Sequence, residues 1–321
     1  MTECRFNPMS EKDKEYFNNL NLKCIELKNK KINNLYFCLN NYKSQNNTII
    51  YLPKEIQQHI IEYADDIHTN ESLKKLVEQC KTNKDYSCLK NVDTSCVTNM
   101  RHLFYCHYDF NEDISNWDVG EVIDMCKMFE ECDKFNQPLN KWNVSKVVNM
   151  YGMFLYCNDF NQLLNNWNVS NVVNMHRMFN GCRKYNQPLD NWNVDNVDDM
   201  SCMFFSCVKF NQTLNNWNVT NVKYMGYMFY NCFDFNQPLN NWDVSNVEDM
   251  SHMFFSCYKF NQTLNNWDVS NVKYINCMLY RCCSYNQNMT KWNLKNVKIA
   301  YNVFTEAKKM EKTNKPQISV S

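Results

Sequence analysis

From residue 100 to residue 300 the apolar positions follow a fixed order that restarts every 25 residues. In the copy that begins at Met150, the residues Met150, Met153, Phe154 and Cys157 stand at i, i+3, i+4 and i+7. That spacing describes one apolar face of about two helical turns. The period then changes. Phe160, Gln162 and Leu164 alternate, as do Trp167 and Val169, which suits extended backbone. Asn165 and Asn166 between them predict a bend, and a second short extended piece runs through Val172 toward Met175. The pattern therefore predicts a unit of short helix, strand and turn. Such a unit cannot bury its apolar face alone. Stacked copies can, with strands pairing about 4.8 Å apart.

The register is strict. All eight tryptophans lie on one series, Trp117, Trp142, Trp167, Trp192, Trp217, Trp242, Trp267 and Trp292. Methionine is unbroken from Met100 to Met250, after which Ile275 and Ala300 take its place. Cysteine recurs from Cys132 through Cys157, Cys182, Cys207, Cys232 and Cys257 to Cys282. Asparagine recurs from Asn136 to Asn286, each followed by glutamine. A fixed phase of this length requires each copy to occupy an equivalent place in space. The expected fold is an α/β repeat solenoid, 25-residue coils of short helix plus strand, preceded by a small α-helical region. The expected organisation is a helical region over 1–90, about eight coils over 91–305, and a polar tail over 306–321 that frays. Copies 201–225 and 251–275 differ at only five positions, which points to duplication of a two-repeat unit.

Eighteen cysteines suggest a disulfide framework until their spacing is read. One cysteine per coil makes a column, better read as packed thiols than as zinc pairs or disulfides. A buried column of asparagines needs hydrogen-bond partners, and equivalent amides on successive coils can supply them. With only four glycines in the chain, asparagine is also expected to carry turns with left-handed backbone.

Formal net charge is zero, which gives no basis for nucleic-acid binding. The N-terminal residues lack the apolar core of a signal peptide, and no run of about 18 apolar residues predicts a membrane span. The chain is expected to be a cytoplasmic monomer, in the host cytoplasm if the source is viral.

The pattern M-F-x-x-C-x-x-F-N-Q-x-L-N-x-W-x-V-S-N-V-x-x-M closely resembles the BspA-like class of leucine-rich repeats in its Trp-containing form. That form is known from bacterial surface proteins, protists and large DNA viruses. The resemblance covers about residues 95–305. It implies a right-handed solenoid that binds other proteins or surfaces and performs no chemistry of its own.

Residues 1–90 do not repeat and predict helices near 11–30, 54–66 and 71–82. Within them, Leu52, Pro53, Glu55, Ile56, Ile60 and Ile61 resemble the start of an F-box. Pro53 suits a first helical turn, and Ile56 and Ile60 share a face. Two readings stand. The segment 51–65 docks on a Skp1-type adaptor while the coils hold a target, or it is a helical cap on a free-standing binding or adhesion-type repeat protein.

Specificity should reside in the columns that vary. One reads Glu130, Leu155, Asn180, Phe205, Tyr230, Phe255, Tyr280; another reads Asp133, Asn158, Arg183, Val208, Phe233, Tyr258, Cys283. Both turn aromatic or apolar in the later coils. Phe205, Tyr230, Phe233, Phe255, Tyr258 and Tyr280 are therefore candidate partner-binding residues, or else rings that fold inward. Lys184, Lys209, Lys259, Asp159 and Asp234 read as a solvated rim. The six histidines show no metal or triad spacing, and no phosphate-binding glycine motif appears. No enzyme activity, metal or cofactor is expected.

Overall fold

The computed structural model of the chain describes residues 11–40 and 67–317. The chain divides into two units, Met1–Asn99 with Trp117–Glu121, and Met100–Asn116 with Val122–Ser321. The division falls beyond residue 90, so residues 91–99 group with the helical part.

In the first unit, α1 spans Glu11–Asn40 and α2 spans Asn70–Asn83. The sequence ends the first helix near residue 30, and the structure carries it a further ten residues. The helix expected at 54–66 lies outside the described residues. Thr69 starts α2 because its side chain accepts the Ser72 N–H at 3.2 Å while Ser72 Oγ accepts the Thr69 N–H at 2.9 Å. Leu73, Val77 and Cys80 form its buried face. Leu20 and Cys24 of α1 are also buried. The Asn70 N–H donates to Cys24 Sγ at 3.3 Å, Thr98 Oγ1 donates to the Leu20 carbonyl at 2.8 Å, and Lys31 pairs with Asp93 at 2.6 Å.

The second unit corrects the expected α/β repeat solenoid. Among its described residues there is no α-helix and no extended strand. The only β pairing among them is single parallel bridges between residues 25 apart, seven of them from Asp124 to Ile299. The reason lies in where the backbone N–H groups go. Met150, Gly152, Phe154 and Tyr156 donate to Asn174, His176, Met178 and Asn180 of the next coil at 2.7–3.0 Å. Met153, Leu155 and Cys157, between them, donate three residues back within their own coil at 3.0–3.2 Å. A helix needs each N–H to bond four residues back. Here alternate donors are taken by the neighbouring coil, and the segment becomes a run of overlapping turns.

Backbone dihedrals agree. Gly152 (φ 56°) and Tyr156 (φ 61°) are left-handed, and the same two places are left-handed in other coils, as at Arg177 and Gly181 or Tyr227 and Asn231. A right-handed helix cannot pass through them. Asparagine carries only two of these places, Asn231 and Asn302; cysteine, arginine, tyrosine, serine and other residues hold most of the rest. The apolar spacing nonetheless marks the buried positions, since Met150, Met153, Phe154 and Cys157 are all 0% exposed.

Over the first expected strand, from Phe160 to Val169, side chains join the coils, whereas the second, toward Met175, keeps backbone bonds such as Val173 N–H to the Val148 carbonyl at 3.0 Å. The Asn161 N–H donates to Oδ1 of Asn136 at 2.9 Å, and Gln162 Nε2 donates to the same oxygen at 3.0 Å. The backbone bond repeats at Asn186, Asn211, Asn236, Asn261 and Asn286. An amide oxygen fills the place of a neighbouring carbonyl, so no backbone ladder forms.

The core continues this order. Cys157 Sγ donates to the Phe129 carbonyl and Trp167 Nε1 to the Leu139 carbonyl, both at 2.9 Å and both 28 residues back. Phe129, Phe154 and Phe179 stack with centroids 5.5 and 5.7 Å apart. Every buried thiol and indole in these columns has a partner. Glu311 and Asn314 extend the array's side-chain bonding: the Glu311 N–H and Asn314 Nδ2 both donate to Asn286 Oδ1 at 3.0 Å.

Candidate interaction surface

In the later coils the overlapping turns place two positions partly outside the core: the residue after the buried Phe, which is buried as Glu130, Leu155 and Asn180 in earlier coils, and the one three further on. Phe205, Tyr230, Phe255 and Tyr280 occupy the first and are half-buried. They stack in one row, with centroids 4.5, 4.4 and 4.6 Å apart and planes within 12°. Phe233 and Tyr258 occupy the second and stack at 4.9 Å, with Tyr258 39% exposed. The structure thus brings the six aromatic candidates into two rows. Leu52, Pro53, Ile56 and Ile60 lie outside the described residues.

Two further rings belong to the first row. Tyr227 and His252 sit on left-handed residues and stack on each other at 4.4 Å. Tyr227 approaches Tyr230 at 5.7 Å and His252 approaches Phe255 at 5.9 Å. The sequence gives a faint signal for them, a 25-residue spacing in a column that elsewhere holds Arg177 and Cys202. Arg281 lies 5.6 Å over the Tyr280 ring, a cation–π contact. Burial lowers the His252 pKa against the opposing pull of Asp249, which favours the neutral ring near pH 7.

Stacking at these distances covers the ring faces. What stays accessible is a strip of ring edges. A flat ligand that binds by lying on a ring, such as a nucleobase or a sugar, finds its place taken by the next coil's ring. A strip of edges suits contact with an irregular, partly apolar surface.

Charged columns flank these rows. Asp159 lies between Lys134 at 3.7 Å and Lys184 at 2.7 Å, and Asp234 lies between Lys209 at 3.6 Å and Lys259 at 2.6 Å. The Lys184 and Lys259 bonds hold the two carboxyls below their ordinary range. The lysine side chains are 57–66% exposed, so these pairs contribute little stability. His176 Nδ1 meets Asp199 at 3.1 Å, with both side chains partly exposed. Among the described residues no three His, Cys, Asp or Glu side chains gather as a set that could hold a metal. No described helix is long and apolar enough to cross a membrane.

No curated protein matches the chain, and no solved structure matches it. A family model described as "Mycoplasma protein of unknown function, DUF285" matches it three times in overlapping register, over residues 71–171, 156–258 and 214–316.

Proposed function

We propose that this chain, which belongs to the DUF285 family, is a repeat scaffold that binds another protein through the aromatic rows of its later coils. One observation carries the reading: rings from four successive coils form a continuous, half-exposed row from Phe205 to Tyr280. Aromatic edges at the centre of a surface are efficient anchors for a protein partner. Zero net charge weighs against a polyanionic ligand. The charged side chains beside the rows supply a polar rim. In this reading the protein works by recognition, without catalysis of its own, as the likeness to BspA-like repeats also suggests.

The finer version is an F-box-like substrate adaptor of a ubiquitin ligase. It rests on the sequence of residues 51–65, with Leu52, Pro53, Ile56 and Ile60 against a Skp1-type partner. The alternative is a free-standing binding protein whose N-terminal helices are structural.

The test compares the intact chain with a Phe233→Ser/Tyr258→Ser variant in crosslinked capture from the source cells. A protein captured by the first and depleted about tenfold or more in the second, with an unchanged thermal melt, supports the reading. Equal capture by both overturns it. The adaptor version is tested separately, by capture of a purified Skp1-type protein and its loss in Leu52→Ala/Pro53→Ala/Ile56→Ala.

A further inference from the structure

We propose that Cys80 and Cys88 form a redox pair that closes to a disulfide, a modification site at the C-terminal end of α2. Their Sγ atoms lie 3.2 Å apart, thiol against thiol. The thiols of the long column differ, because each donates to a backbone carbonyl, as Cys182 does to Phe154 at 3.0 Å. A disulfide needs about 2.05 Å between the sulfurs, so this pair must close by roughly 1 Å.

The local backbone builds the approach. Lys84 ends α2 in a left-handed conformation (φ 53°). The Lys84 N–H bonds back to the Lys81 carbonyl and the Asp85 N–H to the Cys80 carbonyl, at 3.3 and 3.1 Å. This closure reverses the chain. Asp85 Oδ1 then accepts the Ser87 N–H at 2.9 Å and starts a short 3-10 turn, Ser87–Asn91. Cys88 in that turn is carried back over Cys80. Cys80 is buried and Cys88 is exposed. The next residue, Leu89, is fully buried, and its carbonyl accepts the Trp117 indole N–H at 2.8 Å. A bond between the two cysteines would fasten the turn that seats Trp117.

The chemistry needs an oxidant, and a small disulfide such as glutathione disulfide suffices. Cys88, the accessible thiol, gives up its proton and attacks one sulfur of glutathione disulfide. A mixed disulfide forms on Cys88 and one glutathione leaves as its thiol. Cys80 then loses its proton, attacks the Cys88 sulfur, and the second glutathione leaves. Two protein thiols are oxidised by two electrons, and one glutathione disulfide is reduced to two thiols. Burial, then the bond to Cys88, pushes the Cys80 thiol up to about 12. In the mixed disulfide the Cys88 contribution is gone but the burial of Cys80 remains, so the second step should still be the slower one at neutral pH and should accelerate as pH rises.

Tryptic mapping of the intact chain tests this directly. The chain is equilibrated with glutathione disulfide, its remaining thiols are alkylated, and it is digested. Trypsin cuts after Lys81 and Lys84, which places Cys80 in 76–81 and Cys88 in 85–90. The expected product is those two peptides joined, about 2 Da lighter than their sum, and separated again by dithiothreitol. Cys80→Ser should stop at the glutathione adduct on Cys88. A folded intact chain that carries only that adduct, that joins either cysteine elsewhere, or that leaves both thiols free to alkylate overturns the proposal.

Discussion

Asn186 Oδ1 accepts the backbone N–H of Asn211, one coil on, at 2.9 Å. It also accepts Gln212 Nε2 at 3.0 Å, so a single side-chain oxygen satisfies two donors of the next coil. Asn186→Ala removes the acceptor, leaving the half-buried Asn211 N–H without it and Gln212 Nε2 with only the Asn186 carbonyl at 3.1 Å. The expected loss is about 1–2 kcal/mol in urea unfolding. Asn186→Asp keeps an acceptor oxygen in place and should lose clearly less. Equal losses for the two would show that the ladder acts through packing alone.

Tyr185 occupies the column in which Phe160 and Phe210 stand on either side. It is fully buried, and its hydroxyl has no partner. A buried hydroxyl without a hydrogen bond is destabilising. Tyr185→Phe should therefore stabilise the protein by about 1 kcal/mol and raise the melting temperature by about 2–4 °C. A lower melting temperature would mean that the hydroxyl is satisfied in solution.

These ladders mark how far the sequence could be read. The 25-residue period fixed which residues are buried, and the structural roles of Asn161 and Cys157 followed from the need of buried polar groups for partners. The secondary structure did not follow. Met150, Met153, Phe154 and Cys157 have the spacing of a helical face, yet a run of overlapping turns buries the same residues. Only the left-handed backbone at the second and sixth residues after Met150 separates the two, and residues such as Arg177 and Tyr227 give no hint of it. The aromatic rows were legible as columns. Tyr227 and His252 left only the faint signal of their 25-residue spacing, because they lie on those left-handed residues.

The thiol column makes stability depend on alkaline pH. Burial raises the thiols of Cys157, Cys182, Cys207, Cys232, Cys257 and Cys282 above their ordinary value of 9.0. Above that value the unfolded chain releases protons that the folded chain keeps. The stabilisation from protonated thiols is thus fully present below pH 9 and is lost as pH rises toward the folded values. Each thiol can remove up to about 1.4 kcal/mol per pH unit in that window. Urea unfolding at a series of pH values should show a steep fall above 9, and Cys182→Ala/Cys207→Ala should make it shallower. An identical slope in the variant would place the titration elsewhere.

Gly152 and Gly181 are both left-handed, at φ 56° and 82°, but their surroundings differ. A Cβ on Gly152 would sit 3.3 Å from the flexible Lys127 Cγ, and neighbouring coils carry Lys127 and Arg177 at the equivalent position. A Cβ on Gly181 would meet Tyr156 Cδ1 at 2.5 Å and Tyr156 Cα at 3.2 Å. Alanine at either position bears the left-handed cost of about 1 kcal/mol. Only at Gly181 does a collision add to it, so Gly181→Ala should lose about 1–2 kcal/mol more than Gly152→Ala in thermal unfolding. The collision is mainly with the Tyr156 ring, which is 49% exposed and contributes little to the core. Gly181→Ala placed in a Tyr156→Ala background should recover part of the loss, a coupling that a double-mutant cycle measures. Strict additivity of the two substitutions would trace the cost to backbone conformation and leave the ring without a part in it.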